Sequence, residues 1–213
     1  MPEAAVDAPP VIDWGVAAST LPGQTQSGDL HLVKPVPTGA LIAVVDGLGH
    51  GAEAATAART AVSTLSEHAS ESVLALLERC HWALKGSRGA VMSLAFVDRQ
   101  QDTLTWVGVG NVECILLHAD AAPSRGSARA GLVTPGGIVG SELPHVRAQV
   151  VPIAAGDVLI LATDGIREGF SDGLQFDAPP QQLAEHILSR HGKGTDDALV
   201  LVARYRGGAR TSG

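Results

Sequence analysis

The chain has 213 residues, 45% of them hydrophobic, but only three Trp, one Tyr and three Phe, and its formal charge is −7. That length suits one domain with a sizeable core, and the core has to be built from Val, Leu, Ile and Ala. With no Lys/Arg cluster to neutralise phosphates, the acidic balance argues against a nucleic acid or an anionic membrane as partner, while a small cationic ligand stays open.

The first stretch, MPEAAVDAPPVIDW, carries acidic residues where a signal peptide carries basic ones. No segment approaches the apolar length of a membrane span, so the expected location is the cytoplasm. Apolar runs predict strands near 29–36 and 40–46. Two helices follow. The first, HGAEAATAARTAVSTLSEH, is Ala-rich, and the second, ESVLALLERCHWALKG, places Val73, Leu76, Leu77, Cys80 and Leu84 on one face. Strands are then expected near 90–97, 103–109, 112–118, 145–153 and 157–163. A third helix, PPQQLAEHILSRHG, opens on Pro and closes on Gly192, and a last strand covers 198–205.

Consecutive strands without intervening helices exclude a doubly wound parallel sheet. The order points to an α+β fold, an antiparallel β-sandwich flanked by helices. Residues 1–206 are expected to form a single domain, with 207–213 a flexible tail and 120–131 a loop. Cys80 and Cys114 lack the spacing of a zinc knuckle and are read as core or idle thiols. Trp82 is read as packing, and GVGN (108–111) as a hairpin connection that could line a site mouth. The histidines are scattered, without the spacing of a zinc site.

The stretch LIAVVDGLGHG ends an apolar run on Asp46 and continues in glycines. Asp-Gly is a common turn pair and also occurs at 164–165 and 172–173. GLGHGA matches the G-x-G-x-x-A dinucleotide fingerprint, but an Asp before its first Gly would repel a pyrophosphate. The position of the other carboxylates favours a different reading. Asp164 ends a second apolar run, Asp196 and Asp197 precede the last strand, and Asp29 opens another after a Gly. Several carboxylates brought together repel unless cations sit among them, and oxygen-only donors suit Mg²⁺ or Mn²⁺. Two such ions are the usual apparatus for phosphate-ester hydrolysis.

VVDGLGHG, ATDGIREG and TDDALVLV, in that order behind SGD, resemble the metal-dependent type 2C (PPM) serine/threonine phosphatases, and among them the small bacterial SpoIIE- and RsbX-like branch. The resemblance extends over about residues 11–206. It implies a β-sandwich between helices and two Mn²⁺ or Mg²⁺ ions, with a metal-bridging hydroxide as the attacking group and no phosphoenzyme. Asp46 would bridge both ions, and Gly47 would lend a carbonyl to one that Asp29 also holds. Asp164 and Asp196 would hold the other, with Asp46 and Asp164 counted as catalytic. The implied partner is a phosphorylated regulatory protein, a STAS-domain component of the stressosome. Departures exist. Leu48 stands where many members have a proton-donating His, with His50 nearby. No Arg precedes Arg59 to grip the phosphate, so the substrate-binding group is unassigned, and Leu199 replaces a Thr. The absent Arg and His keep a second class in view, a phosphatase-fold binding module without turnover. The intact ligand positions favour the enzyme.

Overall fold

A computed structural model describes residues 10–120, 129–132 and 134–208. The first nine residues, most of the expected 120–131 loop and the tail from 209 onward lie outside the described residues. Ten strands and three helices follow in the order β1 (Ile12–Ser19), β2 (Asp29–Val36), β3 (Gly39–Gly47), α1 (Ala52–Glu67), α2 (Val73–Ala83), β4 (Ala90–Asp98), β5 (Thr103–Val109), β6 (Glu113–Leu117), β7 (Arg129–Leu132), β8 (Gln149–Pro152), β9 (Val158–Ala162), α3 (Pro180–His191) and β10 (Ala198–Tyr205). They form two five-stranded sheets ordered β1-β10-β9-β6-β7 and β2-β3-β4-β5-β8, in which every pairing is antiparallel.

The long apolar runs exist because each central strand is covered on both faces. Along β3, Ala40, Ile42 and Val44 point into the layer between the sheets, where they meet Trp106, Leu116, Leu161 and Leu201. The alternate residues Leu41, Ala43 and Val45 point the other way, onto Ala57, Ala58, Ala61 and Leu65 of α1 and Leu76, Leu77 and Cys80 of α2. β10 does the same in the second sheet, where Val200 and Val202 meet Leu183, Ala184 and Ile187 of α3. The result is a four-layered α-β-β-α domain. The predicted face of α2 is buried at all five positions, and so are both cysteines.

Several expectations are corrected. β1 carries no strong apolar run and was not expected. It is a strand because its backbone pairs with β10 along its whole length, from Ile12 against Tyr205 to Ser19 against Ala198. β7 falls partly inside the stretch read as a loop, and pairs with β6. The strand expected at 145–153 shortens to Gln149–Pro152, an edge segment. GVGN is not a hairpin, since β5 and β6 belong to different sheets and the link crosses between them. The glycine run after β3 opens no parallel βαβ unit, because β3 is followed by two helices and an antiparallel neighbour. Trp82 is 72% exposed rather than packed. Gly208, in the expected tail, donates its N–H to Asp102 Oδ1 at 3.3 Å.

β1 is an edge strand, and α3 covers its open backbone. The Gln181 side chain accepts from Val16 N–H and donates to Val16 C=O, both at 3.0 Å, which blunts the edge. Gly15 permits this contact, because a Cβ there would lie 2.3 Å from Gln181 N and Cα. Gly15→Ala should therefore destabilise the domain by about 1–3 kcal/mol in urea unfolding. Gly131→Ala in β7, where a Cβ meets nothing within 4 Å, should be close to neutral. Equal effects from the two changes would refute this account of the α3–β1 contact.

Candidate active site

Asp29 opens β2 and Asp46 lies near the end of β3, and the two are direct cross-strand partners. By alternation both continue the face that looks into the inter-sheet layer, at the end where the apolar filling stops. Asp164 follows β9 and Asp196 precedes β10, the two neighbours in the opposite sheet. All four carboxylates and Asp197 line one cleft of about 540 Å³, together with Leu48, His50, Asn111 and Thr134. Four stretches far apart in sequence thus deliver their acids to one end of the sandwich.

Each acid is held by a specific local device. Thr163 Oγ1 donates to Asp29 Oδ2 at 2.7 Å while accepting from Leu199 N–H at 2.9 Å, which ties the first sheet's acid to the second sheet. Asn111 Nδ2 donates to Asp164 Oδ2 at 2.8 Å, and the Lys193 ammonium bonds the Asp164 backbone carbonyl. Asp197 is buried and turned away from this role. It accepts from Leu21 N–H and Gly28 N–H, both at 2.7 Å, so it fixes the loop that delivers Asp29. Asp196 stays exposed, and its Oδ1 accepts from Asp197 N–H at 2.8 Å. Gly47 has a steric reason to be glycine, because a Cβ there would stand 2.1 Å from Ala54 O of α1. Its N–H donates to Gly28 C=O at 3.0 Å.

Burial and mutual repulsion disturb the protonation of this group. Burial, then Asp29, Asp164, Asp196 and Asp197, push the Asp46 carboxyl up to about 8. Burial pushes Asp29 up to about 7, opposed by the Thr163 hydroxyl and reinforced by Asp197, Asp164 and Asp196. Among the described residues none donates a hydrogen bond to Asp46 and no Lys or Arg lines the cleft. An oxygen-only set with surplus negative charge fits a hard divalent cation. Among the described residues no three His, Cys, Asp or Glu side chains form a closed metal-holding group.

The sequence brought Asp29, Asp46, Gly47, Asp164 and Asp196 forward as one site, and the structure draws all of these positions to one end of the molecule. It did not bring forward Thr163, Lys193 or the bond from Asn111. A Thr beside an Asp and an Asn in a glycine turn carry no signal until the two sheets are laid face to face. Asp172, of the third Asp-Gly pair, lies away from the cleft and accepts from Arg129 Nη1 at 2.6 Å.

Comparison with known proteins agrees with this geometry. Residues 37–206 match the family model described as Stage II sporulation protein E (SpoIIE). The chain belongs to this family of metal-dependent type 2C serine/threonine phosphatases, in its RsbX-like branch. It is 34% identical over 102 residues to the phosphoserine phosphatase RsbX of Bacillus subtilis (strain 168), a match over 48% of this chain and 51% of that protein. The chain thus aligns with about half the length of that relative. A solved structure from work on the bacterial stressosome as a modular system that controls secondary messenger signalling superposes with a TM-score of 0.81. It is 30% identical, over 91% of this chain and 99% of that one. RsbX in complex with magnesium superposes at 0.80 with 24% identity, over 91% of this chain and 95% of that one, which is a likeness of fold.

Raised carboxyl pKa values set the sign of a pH dependence. The folded, metal-free chain keeps protons on Asp29 and Asp46 that the unfolded chain releases near pH 4, so its stability falls as pH rises from about 4 to about 8. Bound metal displaces those protons, so the stabilisation it gives grows over the same interval. Thermal melts in EDTA and in Mg²⁺ across this range should diverge with rising pH. Asp46→Asn should flatten the EDTA curve and shrink the divergence, and parallel curves would contradict this assignment.

Proposed function

We propose that the chain hydrolyses phosphoserine or phosphothreonine on a regulatory protein, a STAS-domain component of a stressosome, using two Mn²⁺ or Mg²⁺ ions. The observation that carries this reading is the convergence of Asp29, Asp46, Asp164 and Asp196 at one open end of the sandwich, with no Lys or Arg among the described residues of the lining. Asp46 would bridge the ions. Asp29 and the Gly47 carbonyl would complete one site, and Asp164 with Asp196 the other. When bound, the ions supply a water of lowered pKa and offset the charge on the phosphoryl oxygens.

The chain's own residues do the positioning. Thr163 holds one oxygen of Asp29 and leaves the other for the cleft. Asn111 does the same for Asp164, while Lys193 pins the backbone of that turn. Asp197 keeps the 21–28 loop in place, so that Asp29 enters β2 already opposite Asp46. His50 lines the cleft and is exposed, within reach of solvent-borne protons. The RsbX relative, named as a phosphoserine phosphatase, and the stressosome-derived structure support the choice of substrate class.

Hydrolysis of p-nitrophenyl phosphate should require added Mn²⁺ or Mg²⁺ at about millimolar levels, since carboxylate sites rich in water bind these ions modestly. It should vanish in excess EDTA. Asp46→Asn should abolish turnover while preserving the fold. Asp98→Asn is the matched control, because Asp98 caps the β4–β5 turn by accepting from Gln100 N–H and Gln101 N–H and Asn can do the same. Full activity in EDTA, or equal loss in both variants, would exclude the two-metal reading.

Among the described residues no arginine lines the aspartate cleft itself, so contacts with the protein surface around the phosphorylated residue add to productive binding. A phosphorylated STAS domain should therefore show a higher kcat/KM than a phosphopeptide of the same local sequence. Equal values would make this a phosphatase of broad specificity.

A further inference from the structure

A phosphate monoester is a dianion, and the cleft it must enter is lined, among the described residues, by five aspartates and by no Lys or Arg. Metal ions offset that charge and orient the oxygens they coordinate. Planar guanidinium groups hold the remaining oxygens through paired N–H donors. The sequence has no Arg before Arg59, and Arg59 is occupied on the outer face of α1, where its guanidinium donates to Gln26 Oε1 at 3.0 Å and Thr56 Oγ1 at 2.9 Å. Lys193 is engaged with the Asp164 carbonyl.

Resting on the phosphatase reading above, we infer that Arg88, from the α2–β4 loop, orients the substrate phosphoryl group at the mouth of the cleft. The backbone places it there. Gly47 pairs with Ala90 at the start of β4, and Leu48 N–H donates to Gly89 C=O at 3.1 Å, so residue 88 is held beside the 48–50 turn. Gly49 lines the cleft with φ +85, and a Cβ on it would come within 2.6 Å of Arg88 Nη1. The guanidinium therefore lies over the one position in the turn that has no side chain to block it. Its Nε donates to Glu53 Oε2 in the first turn of α1, which anchors the group by one nitrogen and leaves the Nη donors for a ligand. That pair is 49% and 70% exposed, so it holds the side chain weakly and lets it swing. Arg88 also lines a neighbouring groove of about 580 Å³ with Ala52, Glu53, Thr56 and Thr60 of α1. It thus touches both that groove and Gly49 of the aspartate cleft.

The test uses the full chain at saturating Mg²⁺, with p-nitrophenyl phosphate as substrate and inorganic phosphate as inhibitor. Loss of a charged hydrogen-bond donor should raise both KM and the phosphate Ki about tenfold in Arg88→Ala, with kcat and the Mg²⁺ dependence little changed. Arg88→Lys should recover part of the loss. Arg59→Ala, which removes an arginine engaged by Gln26 and Thr56 on the outer face of α1, should leave both constants unchanged. Unchanged constants in Arg88→Ala would overturn the inference. So would an Arg59→Ala variant that reproduces the loss, which makes the effect one of overall charge, or a parallel shift in Mg²⁺ dependence, which makes Arg88 structural. If the wild-type chain does not hydrolyse the ester at all, the phosphatase reading itself fails. Calorimetric binding of phosphate to the Mg²⁺-loaded protein then decides Arg88 separately, with undiminished binding in Arg88→Ala overturning its role.

Discussion

Five carboxylates share one half-buried cleft with no Lys or Arg among the described residues of its lining, and the arrangement of the rest of the molecule follows from the need to hold them together. Like charges in a place poor in water either take up protons or recruit cations. The raised values of Asp29 and Asp46 express the first response in the metal-free chain. A divalent ion would supply the second, and the repulsion among the acids would then become affinity for metal. Such a site tolerates no slack in its supports, because any acid free to move would leave the group.

The supports are correspondingly rigid. β3 is buried on both faces, so its register cannot slip without exposing a full set of apolar side chains. That fixes Asp46 opposite Asp29. Helix α1 comes close enough to the end of β3 that position 47 accepts only glycine, and the small residues Ala54, Ala57, Ala58 and Ala61 on its buried face make this approach possible. In the other sheet, β9 and β10 are neighbours, so that Asp164 leaving one and Asp196 entering the other meet at the same end. Thr163, bonded both to Asp29 and to Leu199 N–H, joins the two sheets at the point where the acids face each other.

Asp197 shows how a carboxylate in a catalytic-looking pair can serve structure instead. Asp196 and Asp197 are adjacent and indistinguishable by type. Yet one is exposed at the cleft and the other is buried, accepting two backbone N–H groups of the 21–28 loop. A carboxylate satisfied in this way is fixed in orientation. The neighbouring acid spends only Oδ1, on the Asp197 N–H, and leaves Oδ2 to the cleft.

The sequence by itself determined the layered α+β class and the three helices, and it singled out Asp29, Asp46, Asp164 and Asp196, which the fold brings to one cleft. Apolar runs broken by Asp-Gly mark where buried strands end, and an acid at such an end has few structural reasons to be there. It also marked the absence of a phosphate-gripping Arg upstream of Asp29. Tertiary structure alone decided what depends on contacts between distant segments. β1 and β7 are strands because a neighbour pairs with them, although their own composition is indifferent. The 108–111 link joins different sheets, which brings Asn111 to Asp164, whereas a hairpin would have carried it elsewhere. Arg88, 42 residues after Asp46 in the chain, lies against Gly49 of the cleft only because β3 and β4 are paired up to Gly47 and Ala90. Local pattern is written in side-chain periodicity, but proximity across the chain is set by register and sheet order, and one sequence read linearly carries no direct record of either.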